Sequence, residues 1–69
     1  MLDEPGEWRL YGRHGVLIGS AASLRVAVEE ASSLAIHGTR AVAIVLGPDS
    51  DIIVFSAQVT LLAERIAKQ

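Results

Sequence analysis

The stretch that most constrains the fold runs from Arg40 to Phe55, because it contains two apolar segments separated by one polar turn. Residues 41–46 are apolar without interruption, residues 47–51 read Gly-Pro-Asp-Ser-Asp, and residues 52–55 are apolar again. Proline presets φ for a tight turn, and Asp and Ser side chains accept backbone hydrogen bonds there. The sequence therefore predicts a strand, a turn and a returning strand, followed by a C-terminal amphipathic helix.

The same order of elements is found in the first half of the chain. An offset of 36 positions aligns Trp8 with Ile44, Leu10 with Leu46, residues 16–18 with residues 52–54, and Ser20 with Ser56. The chain thus reads as a tandem ββα repeat. We expect an α+β fold, a two-layer sandwich in which a four-stranded antiparallel sheet carries two helices on one face. Strand order 2-1-3-4 is favoured because it puts the most apolar strand inside the sheet, and order 1-2-4-3 is the alternative.

The helices have recognisable ends in the sequence. Apolar residues recur at helical spacing after the second strand, which predicts a helix from about Ala21 to His37. Ser20 or Ser23 is the expected N-cap, and Gly38 is expected to be left-handed just after the helix. Because the repeat aligns Ser20 with Ser56, we expect Ser56 to cap the second helix in the same way.

A chain of 69 residues forms one domain with a thin core, since a domain of this size buries only about 60% of the surface of its unfolded form. We expect residues 1–7, which are acidic and contain Pro and Gly, to be a flexible lead-in, and residues 8–69 to form the domain. Cysteine is absent, so no disulfide or thiolate metal site supplements the core. Self-association is the supplement that remains.

The sequence contains no convincing catalytic or metal-binding set. Gly19-Ser20-Ala21 lacks the second glycine of a nucleophile elbow, and no acidic residue is placed to orient His14 or His37 as its base. The aspartates of Asp49-Ser50-Asp51 could hold a hard cation, but the loop lacks the further oxygen ligands that calcium requires. We therefore expect no enzymatic activity, no cofactor and no bound metal.

One small patch could bind nucleic acid. Arg9, Tyr11, Arg13 and His14 gather on the first strand and its hairpin tip, where cationic groups could meet phosphate and the aromatic ring could stack on a base. The formal net charge of −2 gives no general attraction for polyphosphate, and Glu7 can neutralise the patch. No RNA-recognition signature or phosphate-binding glycine loop is present. Weak nucleic-acid binding is therefore the alternative function.

The predicted interaction surface lies on the sheet face turned away from the helices. Residues 41–46 are apolar on both faces, whereas helices on one side of the sheet cover only one of them. The repeat places Val42, Ile44 and Leu46 beneath the helices. The opposite face then carries the predicted interface residues: Tyr11, Ala41, Ala43 and Val45. We expect a small non-enzymatic interaction module that forms a homodimer or binds a small protein partner.

Two further features bear on the source and location of the protein. The longest apolar run is far shorter than the about 20 residues of a membrane-spanning helix, and the acidic N-terminus does not resemble a secretory leader. Lys68 is the only lysine among six basic residues, and this preference for arginine is typical of GC-rich bacterial genomes. We expect a bacterial, cytoplasmic protein without membrane contact.

Overall fold

The computed structural model describes residues 2–47 and 52–69. Over these residues the strands are β1 (Pro5–Tyr11), β2 (Leu17–Ser23), β3 (Ala43–Leu46) and β4 (Ile53–Phe55), the α-helices are α1 (Leu24–Ile36) and α2 (Ser56–Ala67), and a 3₁₀ turn (Arg13–Gly15) joins β1 to β2. Residues 48–51 of the predicted turn, with the candidate cation ligands Asp49 and Asp51, lie outside the described residues.

The four strands form one antiparallel sheet in the order β2-β1-β3-β4. The predicted α+β class, the four-stranded antiparallel sheet and the strand order 2-1-3-4 are therefore confirmed. In the centre of the sheet Trp8 lies opposite Leu46, and Leu10 lies opposite Ile44. Directly opposed residues of antiparallel strands project to the same side, so these four side chains share one face, as the alternation in the sequence predicts.

That face of the sheet forms one hydrophobic cluster with the helices. The largest fully buried side chains are Trp8, Leu10, Leu24, Val28, Ile44 and Val54. Helix α2 adds Val59 and Leu62. Full burial of an aliphatic side chain of this size contributes about 1.5–3 kcal/mol, and the indole N–H of Trp8 donates to the Glu4 carbonyl at 2.9 Å. The core is therefore apolar, and the polar N–H of the Trp8 ring is satisfied by this hydrogen bond.

The N-terminal segment differs from the predicted lead-in. Strand β1 begins at Pro5, so residues 5–7 belong to the sheet. Proline is tolerated at the first position of a strand because the missing N–H is not needed there. Before the strand, the carbonyl of Leu2 accepts a hydrogen bond from the amide of Arg25 at 2.8 Å. The start of the chain is thereby attached to the first turn of α1.

The predicted N-caps are only half right. Ser23 caps α1, and its hydroxyl accepts from the Val26 amide at 3.3 Å. Ser20 lies inside β2, opposite Arg9. In the second half the N-cap residue is Phe55, which has no side-chain capping bond, and Ser56 is already helical. The prediction that Ser20 and Ser56 are equivalent caps is therefore wrong.

The sheet register explains why the repeat alignment misplaces the caps. Trp8 lies opposite Ala21 in the first hairpin. Its aligned residue Ile44 lies opposite Val54, which follows Ala21 by only 33 positions. The second hairpin is therefore shorter than the first, so a single offset of 36 positions cannot align both hairpins. β2 consequently continues to Ser23, and α1 begins three residues later than predicted.

The predicted end of α1 is confirmed. Gly38 has φ +89°, in the left-handed region that glycine adopts without strain. Its amide donates to Ala35 at 3.1 Å, and the Thr39 amide donates to Leu34 at 2.8 Å. These two bonds are the pair that defines a Schellman motif, so Gly38 stops the helix and turns the chain toward β3.

Candidate interaction surface

The sheet face opposite the core carries side chains from all four strands. Opposed residues of the ladder form two rows across the sheet. The first row is Leu17, Tyr11, Ala43 and Phe55, and the second row is Ser20, Arg9, Val45 and Ile53. We call these eight residues the open face. In β1, β3 and β4 they alternate with buried residues, because successive side chains of a strand point to opposite sides.

The open face is mostly apolar and accessible to solvent. Phe55 is 61% exposed, and Leu17 and Ile53 are also exposed. Tyr11 and Val45 are half-buried between them. Because the apolar side chains lie in adjacent ladder positions, they form one continuous surface across the sheet. A continuous exposed apolar patch is typical of an interaction site and is uncommon on monomeric proteins.

The single charge on the open face is compensated. The guanidinium of Arg9 donates to the Glu7 carboxylate, with Nη2 at 3.0 Å and Nε at 3.2 Å from Oε1. The hydrogen bond that Arg9 donates to Glu7 is the main cause of the raised pKa of Arg9, and the side chain of Tyr11 adds to the effect. This pairing leaves the surface close to neutral, which suits an apolar partner better than a polyanion.

The structure places three of the four predicted interface residues on the open face, namely Tyr11, Ala43 and Val45. The prediction for Ala41 is wrong, because Ala41 is 6% exposed and belongs to the core. Val42, predicted beneath the helices, is 42% exposed. The reason is that β3 begins only at Ala43, so strand alternation does not extend to the two residues before it.

Sequence reasoning missed the most exposed apolar members of the open face, which are Leu17, Ile53 and Phe55. Ile53 and Phe55 flank the buried Val54, and this alternation within β4 could have identified them. Leu17 carries no comparable signal. A register irregularity between Leu10 and Tyr11 in the β1–β2 ladder puts Leu17 opposite Tyr11, and an irregularity of this kind depends on the folded sheet.

The predicted nucleic-acid patch is divided in the structure. Arg9 and Tyr11 belong to the open face, whereas Arg13 and His14 are exposed in the 3₁₀ turn beyond the end of β1. His14 has φ +61°, a left-handed conformation that is uncommon for a residue with a side chain. Within the described part of the chain, no hydrogen bond or ion pair joins the two halves of this patch.

The described residues contain no group of three or more His, Cys, Asp or Glu side chains that could hold a metal ion. Among the same residues, neither α-helix is long and apolar enough to cross a membrane. Comparisons with protein-family models, with curated proteins and with solved structures gave no match. The open face and the charges around it are therefore the features that bear on function.

Proposed function

We propose that the chain is a small, non-enzymatic, cytoplasmic interaction module that forms a homodimer by stacking the open faces of two sheets. The observation that carries the proposal is the uncovered apolar surface that crosses all four strands. We take each protomer as a two-layer sandwich of two tandem ββα units with unequal hairpins, both helices lying on the core side. Dimerisation would then supply the second cover that the sheet lacks.

The open face has a shape that suits a twofold pair. Stacked sheets pack about 10 Å apart, with side chains of the two inner faces interdigitating. A twofold axis parallel to the strands sets β1 of one copy over β3 of the other. Tyr11 then meets Ala43 of the second copy, and Phe55 meets its Leu17. The small Ala43 provides the space that the Tyr11 ring needs.

The size of the open face makes the proposed dimer sensitive to single changes. The open face occupies only part of a protomer that measures 32 × 26 × 17 Å, because it consists of two rows of side chains across four strands about 4.8 Å apart. A standard interface buries about 800 Å² on each partner. The open face is smaller than this, so nearly all of its residues must take part, and one charge at its centre should be enough to prevent association.

Light scattering after gel filtration tests the dimer. We expect a mass of twice the 7.3 kDa of one chain at micromolar concentrations. Ala43→Asp places a carboxylate in the middle of the open face and should give a monomer with unchanged fold. A wild-type mass of one chain at every concentration would refute self-association through any surface.

Phe55→Asp and Leu61→Asp form a matched pair, because the two side chains are 61% and 64% exposed. Phe55 lies on the open face, whereas Leu61 lies on α2. Phe55→Asp should give a monomer that stays folded, since Asp at the N-cap accepts from the first helical turn. Leu61→Asp should stay dimeric. If the two variants exchange these outcomes, the interface lies on the helical side.

Nucleic-acid binding is the second candidate, and it is favoured by one observation. Tyr11 and Phe55 occupy the same row of an accessible sheet, and aromatic rings in such positions can stack on bases. A titration with single-stranded oligonucleotides over a range of salt concentrations separates the candidates. Binding that weakens steeply with added salt would support it, whereas the dimer proposal expects no saturable binding.

A further inference from the structure

A groove between α1 and α2 lies apart from the open face. Its larger cavity has a volume of about 490 Å³, and an adjoining cavity has a volume of about 390 Å³. Both are lined by Ser32, Ile36 and Ala63, so they form one continuous depression, which we call the interhelical groove. Each volume falls within the range of about 300–1,000 Å³ that is typical of small-molecule sites.

The walls of the interhelical groove are mostly apolar. The apolar lining consists chiefly of Ala31, Ala35, Ala41, Val59, Ala63 and Ile66. Two hydroxyls in the lining are already engaged, because Ser32 donates to the Val28 carbonyl at 3.1 Å and Thr60 donates to the Ser56 carbonyl at 3.2 Å. The middle of the groove therefore offers little to a polar ligand and suits an aliphatic chain.

The two ends of the groove carry opposite charges. Arg40 lines the larger cavity, and Glu29 lines the adjoining one. Arg40 has no ion pair with any described residue. The first turn of α2 reaches the same end through Ser56, and no side chain caps that turn. A ligand with one negative group would be oriented toward Arg40, because Glu29 repels a negative group at the other end.

We infer that the interhelical groove binds an aliphatic monocarboxylate. The carboxylate pairs with the guanidinium of Arg40, whose planar donors match two carboxylate oxygens. The hydrocarbon tail runs past Ile36 and Ala63 toward Ile66. Each methylene removed from water strengthens binding by about fourfold, so the tail supplies most of the affinity and the charge pair supplies the direction.

The probe is octanoate, titrated into the full-length protein labelled with nitrogen-15 and followed by NMR. We expect saturable shifts at the amides of Ala35, Ala63 and Ile66, with the open-face amides of Tyr11 and Val45 unaffected. 1-Octanol has the same tail without the charge and should bind about threefold to fivefold more weakly, the effect of one exposed charge pair. Binding of octanol as tight as that of octanoate would overturn carboxylate recognition.

Two pairs of variants locate the site. Arg40→Gln should weaken octanoate binding by about threefold to fivefold, whereas Arg65→Gln, also an exposed arginine but outside the groove lining, should leave it unchanged. Ala35→Leu fills the larger cavity and should weaken binding by about tenfold. Ala22→Leu adds the same atoms on β2, outside the groove lining, and is the control that should leave binding unchanged.

Three results would overturn the inference: no saturable shift up to the solubility of octanoate, equal affinities for the two glutamine variants, or shifts that depend only on protein concentration. The last result would show that a second copy occupies the groove. The monomeric Ala43→Asp variant should still bind octanoate, because Ala43 lies on the open face and does not line the groove. Failure of the dimer and failure of the groove site can therefore be distinguished.

Discussion

The two halves of the chain begin their helices in different ways. In α1, three successive amides have acceptors: Leu24 donates to the Glu4 carbonyl, Arg25 to the Leu2 carbonyl, and Val26 to the Ser23 hydroxyl. In α2, the Ser56 amide donates to the Val42 carbonyl at 3.0 Å, and no side chain caps the first turn. Since a helix leaves about four amides without partners at its start, the first half satisfies them better.

This difference shows that the start of α2 is not optimised for local helix stability. The N-cap of α2 is Phe55, although Ser, Thr, Asp and Asn are the residues preferred there. Phe55 does not stabilise the core either, because its side chain is exposed on the open face. Positions that break a local rule without a gain in packing are often functional. The proposed dimer would give Phe55 such a role, because its exposed ring lies on the open face.

The largest expected effect on stability distinguishes Trp8 from Phe55, two aromatic residues that lie on opposite sides of the sheet. Trp8 is fully buried, so Trp8→Ala should lower the free energy of unfolding by about 3–5 kcal/mol. Phe55→Ala should act by weakening the dimer, so the stability that it removes should become smaller as the protein is diluted. Urea denaturation at several protein concentrations measures both losses of stability. If Trp8→Ala does not fold, Trp8→Phe replaces it in the measurement. A loss of stability for Phe55→Ala that does not depend on protein concentration would show that Phe55 acts within one protomer and not through the dimer.

The end of α1 gives the next effect. Nothing lies within 4 Å of the position of a Cβ at Gly38, so a substitution there is opposed by the backbone conformation alone. Gly38→Val should destabilise by about 1–2 kcal/mol. Gly38→Asn should cost less, because Asn tolerates the left-handed region. Thermal denaturation of the two variants measures this difference. Equal losses of stability would indicate steric crowding at the position instead.

The smallest effect concerns the two serines near the helix starts. Ser23→Ala removes a capping acceptor and should cost about 1 kcal/mol. Ser56→Ala should change the free energy of unfolding by much less, because Ser56 is helical and caps nothing. Denaturant midpoints of both variants test the contrast directly. A cost for Ser56→Ala equal to that for Ser23→Ala would restore the equivalent caps that the repeat predicts.

Much of the fold could be predicted because it depends on short-range pattern. Alternation along β1 identifies Trp8 and Leu10 as core residues, and the end of a helical period at Gly38 identifies the stop of α1. The strand order follows from placing the most apolar strand in the interior. These features need only the side-chain period and the backbone preference of single residues.

The parts that could not be predicted depend on how hairpins align in space. The length of the first hairpin decides whether Ser20 or Ser23 meets the helix, and an apolar alternation alone does not reveal it. The sequence pattern assigns Ala41 to the wrong face for a related reason, because its burial depends on where β3 starts. The open face was therefore predicted only in its centre, at Tyr11, Ala43 and Val45.

The position of β1 in the middle of the sheet has a consequence for the order of folding during synthesis. β1 and β2 are joined by a short turn, and such local pairs form early. The other edge of β1 is filled only by β3, which begins at Ala43. Until then the nascent chain presents a central strand with an unpaired edge, a ready template for pairing with another chain. Slow pairing of β3 with β1 would therefore favour association of unfinished chains through the open edge of β1.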